Sequence, residues 1–260
     1  LTSWNAMAIS GLCEAYRVFG DKNYLELAVK NAEWVVNKQL QSTGQLWRSF
    51  KNGKSSIEGF LDDYAFVIKA MIQLYQSTFE EKWLYFAKDL TDYVLSNFSD
   101  DRSKMFFYTS TNSTLIARKM EINDGVIPSS NSAMANCLYL LGSYFLNEDY
   151  SNRAKQMLTN VYDGMEQYGS SYSNWGVLLS HFLNEPKQVV ISGTKSLEAV
   201  KELEKYSNHF SIIAVIDQDS TLPISKGKTT EDQLKIHVCI GNYCLSPVDR
   251  VTDAIQQVIQ

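Results

Sequence analysis

Histidine is rare in this chain and cysteine scarcely more common, and both shortages narrow the chemistry open to it. Of 260 residues only His181, His209 and His237 are histidines, and only Cys13, Cys137, Cys239 and Cys244 are cysteines. No HExxH motif and no cluster with metal-ligand spacing occurs, so no catalytic metal is expected. Four cysteines are too few for a disulfide scaffold. GxSxG, P-loop and GxGxxG motifs are absent as well, and no cofactor is expected. Basic residues never cluster beyond Arg118-Lys119, and the net charge is −5, from 24 basic and 29 acidic residues. Both facts argue against a nucleic-acid surface. The longest uncharged run, Gly125 to Asn147, includes Ser129, Ser130, Asn131, Ser132, Asn136 and Ser143. That polarity marks a buried helix rather than a membrane span. No signal peptide is recognisable, and a cytoplasmic location is expected.

What the chain does have is apolar bulk and aromatic side chains. Apolar residues make up 45%, with 15 Tyr, 12 Phe and 5 Trp. This is enough for a large core and for aromatics to line a cavity.

The organisation reads as a repeat. Helices are expected from about Trp4 to Phe19, Asn23 to Gln39, Asp63 to Thr78, Glu81 to Phe98, Asn131 to Phe145, Tyr150 to Met165 and Asn174 to Leu183. A shift of 59 positions pairs Tyr16 with Tyr75, Tyr24 with Trp83, Leu25 with Leu84, Ala28 with Ala87 and Trp34 with Tyr93. One hairpin cannot bury its own apolar faces, so stacked hairpins imply a helical array or toroid. Odd-numbered helices such as AMAISGLC are nearly uncharged and should lie inside, buried on most sides. Even-numbered ones such as YLELAVKNAEWVVNKQL carry charge on one face and should form the outer layer. Loops from Gln45 to Gly59 and from Met105 to Pro128 contain the strand-like stretches LWRSF and MFFYTS. The fold expected is mainly α, a partial (α/α) hairpin toroid over residues 1–185. The texture changes at Pro186, and 186–260 reads as a small α/β subdomain with a largely parallel sheet: QVVISG, a helix from Ser196 to Tyr206, SIIAVID, LKIHVCI and a closing helix from Pro247.

Four inner-helix starts carry polar-aromatic clusters: Ser3-Trp4-Asn5, Asp62-Asp63-Tyr64, Ser130-Asn131-Ser132 and Ser173-Asn174-Trp175. Parallel inner helices place these on one rim, where helix N-termini offer backbone N–H groups and partial positive charge. Asp62, Asp63 and Glu58 are the candidate catalytic carboxylates, with Asp124 beside them, since glycosidic chemistry needs two carboxyls flanking the bond. The competing reading makes Asp62 an N-cap and Asp63 a first-turn charge. Trp4, Trp47 and Trp175 are candidate sugar-stacking platforms or, equally, core residues. Arg48, Asn5, Asn131 and Tyr64 complete the candidate ligand-binding set, which would suit a carbohydrate or an anionic small molecule. Cys13 and Cys137 read as core residues. Cys239 and Cys244, in HVCIGNYCLSP, are redox or disulfide candidates, although Cys-x4-Cys is not the redox Cys-x-x-Cys spacing.

LTSWNAMAI, GFLDDYAF, PSSNS, QVVISG and CIGNYCLSPV, in this order, resemble the spermatogenesis-associated protein 20 family of thioredoxin-domain-containing proteins over nearly the whole chain. The resemblance implies a toroid similar to six-hairpin glycosidases and N-acylglucosamine 2-epimerases. It also implies that this chain is the C-terminal part of a longer protein whose thioredoxin-like domain is a partner in the same polypeptide. Self-association of such a fragment is then expected through an uncovered apolar edge. Two function classes follow by analogy: a carbohydrate-active hydrolase or epimerase, or a non-catalytic ligand- or partner-binding module. Epimerases of this fold rely on barrel histidines, and here the helical region holds only His181.

Overall fold

A computed structural model describes the chain except residues 114–116, 185, 207–210, 231, 242 and 260, so His209 lies outside the described residues. Among the described residues there are nine α-helices and six strands, in two compact units. The first unit comprises residues 1–141 and 149–176, the second residues 142–148 and 177–260.

In the first unit the expected hairpins are present: α1 (Thr2–Phe19) with α2 (Lys22–Trp34), α3 (Leu61–Thr78) with α4 (Lys82–Phe98), then α5 (Ser130–Phe145) and α6 (Glu148–Gln167). Gly20 ends α1 in the left-handed conformation (φ 72°), where a side chain would be strained, and Asp21 accepts the Asn23 N–H to open α2. α2 passes into a π-helical turn, Val35–Gln39, which absorbs one extra residue before the chain leaves the helix. The 59-residue shift pairs equivalent places in the hairpins: Trp34 lies on α2 and Tyr93 on α4, each the second helix of its hairpin. Ala28 and Ala87, paired by the shift, are both fully buried, and their small side chains let each outer helix approach its inner partner.

The inner helices are not alike. α3 and α5 are buried along nearly their whole length, whereas α1 buries only Thr2, Ser3, Ala6, Ile9 and Cys13. The reason lies in the neighbours. α3 meets α1 on one side, and the Cys137 thiol of α5 points at its Ala65 carbonyl (3.6 Å) on another; α1 packs on α2 and α3. LWRSF does form a strand, β1 (Trp47–Lys51), paired antiparallel with β2 (Lys54–Glu58). MFFYTS does not: Phe106 makes a single bridge to Ser99, because the segment's polar backbone is instead bound by side chains such as Asn131.

The second unit holds the end of α5, the last part of α7 (Ser173–Leu183), and a sheet ordered β4–β3–β5–β6: β3 (Lys187–Ser192), β4 (Ile212–Ile216), β5 (Lys235–Ile240) and β6 (Tyr243–Cys244). The sheet is mixed rather than largely parallel. β3 and β4 are parallel because α8 (Ser196–Leu203) carries the crossover, but no α-helix separates β4 from β5 among the described residues, and β5 returns antiparallel to β3. α9 (Val251–Ile259) closes the chain, its Val258 carbonyl receiving the Lys187 ammonium at 2.7 Å. Among the described residues no helix is long and apolar enough to cross a membrane.

Candidate functional site

The start of α3 is held from three directions. Its N-cap is Phe60, in extended conformation, not Asp62 as the capping reading had it. A phenylalanine has no acceptor to offer, so Asp63, three residues on, reaches back and accepts the Phe60 N–H at 3.0 Å, half of a capping box. The next amide, Leu61, donates to the Tyr108 carbonyl. Asp63 is wholly buried, and its other oxygen accepts the Ser3 N–H of α1 at 2.9 Å.

Arg48, from β1, closes the cluster. Its Nη1 lies 2.7 Å from Asp63 Oδ2 and 2.9 Å from Asp62 Oδ1. Its guanidinium sits 4.7 Å over the Phe60 ring, and Phe60 in turn lies 5.1 Å from the Tyr108 ring. Burial works against the Arg48 charge, but Asp63 and Asp62 more than offset it and hold the guanidinium above its ordinary range. Burial, reinforced by Asp62, pushes the Asp63 carboxyl up to about 6 against the pull of Arg48 and the two backbone donors. The Tyr108 hydroxyl is also pushed up, by burial and by the charge of Asp62. Two carboxylates and one guanidinium leave a net negative cluster. Solvent reaches it through Asp62 and Arg48, whose side chains are 11% and 19% exposed, while Asp63 has no exposed surface.

A second cluster gathers at the starts of α5 and α7. Asp124 Oδ1 accepts the Ser129 N–H (2.9 Å) and the Ser132 hydroxyl (2.6 Å), and Oδ2 accepts the Asn174 N–H of α7 (2.8 Å). Glu121 accepts the Ser130 N–H at 2.9 Å. Backbone donors expected to face a ligand are therefore bound by carboxylates of the chain itself. Asn131, fully buried, is bound to both backbone groups of Phe106 and to the Glu121 carbonyl. Trp175 is fully buried, its indole N–H donating to the Ile122 carbonyl at 2.9 Å.

The remaining candidates lie elsewhere. Tyr64 is in the core, stacked 5.3 Å from Tyr93, with its hydroxyl accepting the Leu46 N–H. Trp4 is 66% exposed on α1, and Asn5 donates to the Leu1 carbonyl. Trp47 is half-buried opposite Glu58, which is exposed at the end of β2. In the second unit Cys239 and Cys244 are joined by a disulfide across β5 and β6. Burial pushes Cys13 up to about 11 and Cys137 up to about 12, which suits inert core thiols. Among the described residues no group of three or more His, Cys, Asp or Glu is placed to hold a metal ion. Sequence reasoning missed Phe60, Tyr108 and the Ser3 amide. The aromatic run at Phe106-Phe107-Tyr108 was the one signal for Tyr108, and nothing in it pointed to α3.

Over about 62% of the chain the fold is similar to that of solved helical toroids. It resembles a cellobiose 2-epimerase from Bacillus thermoamylovorans (TM-score 0.53, 15% identity, 62% of this chain and 44% of that one). It likewise resembles a D-mannose isomerase (0.52, 17%, 62% and 41%) and a GH76 α-mannanase of Bacteroides thetaiotaomicron (0.50, 16%, 61% and 43%). No family model matches the chain. Among curated proteins it is similar to human spermatogenesis-associated protein 20, 26% identical over 95% of this chain and 34% of the relative. An uncharacterized protein of Caenorhabditis elegans is 27% identical over 99% of this chain and 37% of its own length. The resemblance read from the motifs is thus carried by sequence along nearly the whole chain, and the chain spans about a third of the length of these relatives.

Proposed function

We propose that the chain is a carbohydrate-related toroid portion that binds a neutral, hydroxyl-rich ligand at the Arg48–Asp62–Asp63–Tyr108 cluster. The observation that carries this reading is the division of labour between the two aspartates. Asp63 is sealed and acts as a positioning residue, whereas Asp62 and Arg48 reach solvent with the Phe60 and Tyr108 rings beside them. Sugar hydroxyls can donate to Asp62 and accept from the outer guanidinium N–H groups, and an aromatic face suits the apolar side of a pyranose. An anionic ligand is disfavoured because two carboxylates already surround the one cation. Glycosidic hydrolysis is a weaker reading of this geometry, since Arg48 fills the space between the carboxylates where a scissile bond would have to lie. Titration calorimetry with neutral mono- and disaccharides and with uronates tests it. Neutral sugars are expected to bind, and Asp62→Asn to weaken them at least ~10-fold. Binding of uronates alone, or of no sugar, sinks the proposal.

A second reading, a partner-binding module for a thioredoxin-like domain of the same protein, draws on the disulfide. Cys244 is exposed on the edge strand β6, where a dithiol could be oxidised while Cys239–Cys244 is reduced to two thiols. Trapping a mixed disulfide at Cys244 with a single-thiol thioredoxin variant tests it, and failure to trap one argues against it.

A further inference from the structure

Ile57, on β2, carries its backbone in the left-handed region, at φ 64°. A branched side chain is strained there in a way that glycine or asparagine is not. Among the described residues it is the one β-branched residue with positive φ, and the one non-glycine residue with positive φ inside a strand. Asn52, by contrast, lies beside Gly53 at the tip of the same hairpin, and Phe79 ends α3. The bend at Ile57 has a use. Two residues on, Gly59 donates its N–H to the Leu46 carbonyl at 2.7 Å, so closely packed that an added Cβ would meet that oxygen at 3.0 Å. Glycine or asparagine at position 57 would allow the same bend without strain. Backbone geometry therefore accounts for the bend and not for the isoleucine side chain.

Core packing does not account for it either. Ile57 is 58% exposed, between the exposed Ser56 and Glu58. A lone exposed isoleucine needs no explanation, but one held in a strained conformation does. Its place in the hairpin supplies one. The pairing of Trp47 with Glu58 and of Ser49 with Ser56 puts Arg48 opposite Ile57, and residues directly opposite on paired strands lie ~4.5–5.5 Å apart. Arg48 itself is the cation of the Asp62–Asp63 cluster and already lies over the Phe60 ring. Ile57 is thus an exposed apolar side chain on the strand position facing that arginine. We propose, on the reading that the Arg48 cluster holds a hydroxyl-rich ligand, that Ile57 is a specificity-determining contact of that site. Its side chain takes the C–H face of a pyranose whose hydroxyls are bound by Arg48 and Asp62, and the strain is retained for that contact.

The test measures sugar affinity and thermal unfolding of the full-length polypeptide side by side, with glucose, galactose and maltose as probes. Ile57→Gly and Ile57→Asn both relieve the strain and remove the apolar surface. Each is expected to keep or raise the melting temperature while weakening the best-bound probe ~10-fold. Ile57→Val keeps a branched apolar side chain and should stay within ~4-fold of the wild type. Unchanged affinity in the Gly and Asn variants overturns the proposal and leaves the sugar site standing. A lower melting temperature in both also overturns it, since Ile57 would then be a structural contact. If the wild type binds none of the probes, the sugar site itself falls, and the role of Ile57 with it. Should Ile57→Gly fail to fold, Ile57→Asn carries the same comparison.

Discussion

The Asp63 carboxylate on α3 accepts the backbone N–H of Ser3 on α1 at 2.9 Å, so one side chain ties together the starts of two inner helices. Asp124 repeats the arrangement one step along, joining Ser129 and Ser132 at the start of α5 to Asn174 on α7. Each helix start needs acceptors for amides that no preceding turn can satisfy. A buried carboxylate placed between two of them supplies acceptors to both and receives the favourable field of both dipoles.

Replacing Asp63 by Asn puts an amide donor either against the Ser3 N–H or against both the Phe60 N–H and Arg48, which share the other oxygen. An exposed first-turn charge would cost only ~0.3–1 kcal/mol. Here the loss is expected at ~2–4 kcal/mol, because a buried, multiply bonded carboxylate is removed while Arg48 stays behind. Urea denaturation of the variant checks this, and a change below ~1 kcal/mol would mean that Asp63 is not a tie.

The pH dependence has a definite sign. The folded Asp63 carboxyl is raised to about 6, above the ~3.9 of an unfolded aspartate. Its contribution is therefore fully present below about pH 4 and lost as pH rises through about 6. The stability gap between the wild type and Asp63→Asn should be wider at pH 4.5 than at about pH 7. Chemical denaturation at both values measures it, and a gap that widens towards neutral pH contradicts the assignment.

Asp124→Ala should behave like Asp63→Asn in stability but not in binding. It leaves the Ser129 and Asn174 amides without their acceptor and the Ser132 hydroxyl with the Ser129 carbonyl alone, an expected loss of ~2–4 kcal/mol. Sugar affinity at the Arg48 cluster should change less than ~3-fold. An equal loss of affinity would place the ligand at the second cluster instead.

Tyr108→Phe separates support from contact. Removing the hydroxyl takes a polar neighbour from the Asp62 carboxylate, a stability cost of ~1 kcal/mol. If Tyr108 orients Asp62 towards a ligand, affinity falls ~3–10-fold with the fold intact. Unchanged affinity would reduce Tyr108 to packing against Phe60.

The disulfide stabilises its own unit. Cys239 and Cys244 close a loop of separation 5, for which the chain-entropy account gives ~2 kcal/mol. Cys239→Ser with Cys244→Ser should lower the stability of the α/β unit by about that amount and leave Trp175 and the first unit unaffected. Hydrogen exchange resolved by segment reads the difference.

The residues by themselves determined the helices, their pairing into hairpins and the layer each belongs to. Those follow from local periodicity and from a 59-residue recurrence that needs no knowledge of contacts. They also marked where the inner helices start, because helix starts draw Ser, Asn and Asp for reasons local to the backbone. Tertiary structure alone decided what those residues bind. Nothing near Asn131 in sequence says that its amide will hold Phe106, or that Asp63 will reach Ser3 rather than a ligand. The fate of the tryptophans was likewise undetermined: Trp175 fills the core and Trp4 faces outward, although both open inner helices. The parallel sheet failed for the same reason, since strand direction depends on whether a helix crosses over between strands, and among the described residues no α-helix lies between β4 and β5. Periodicity is a property of neighbours in the chain. Which hydrogen-bonding group meets which is a property of packing.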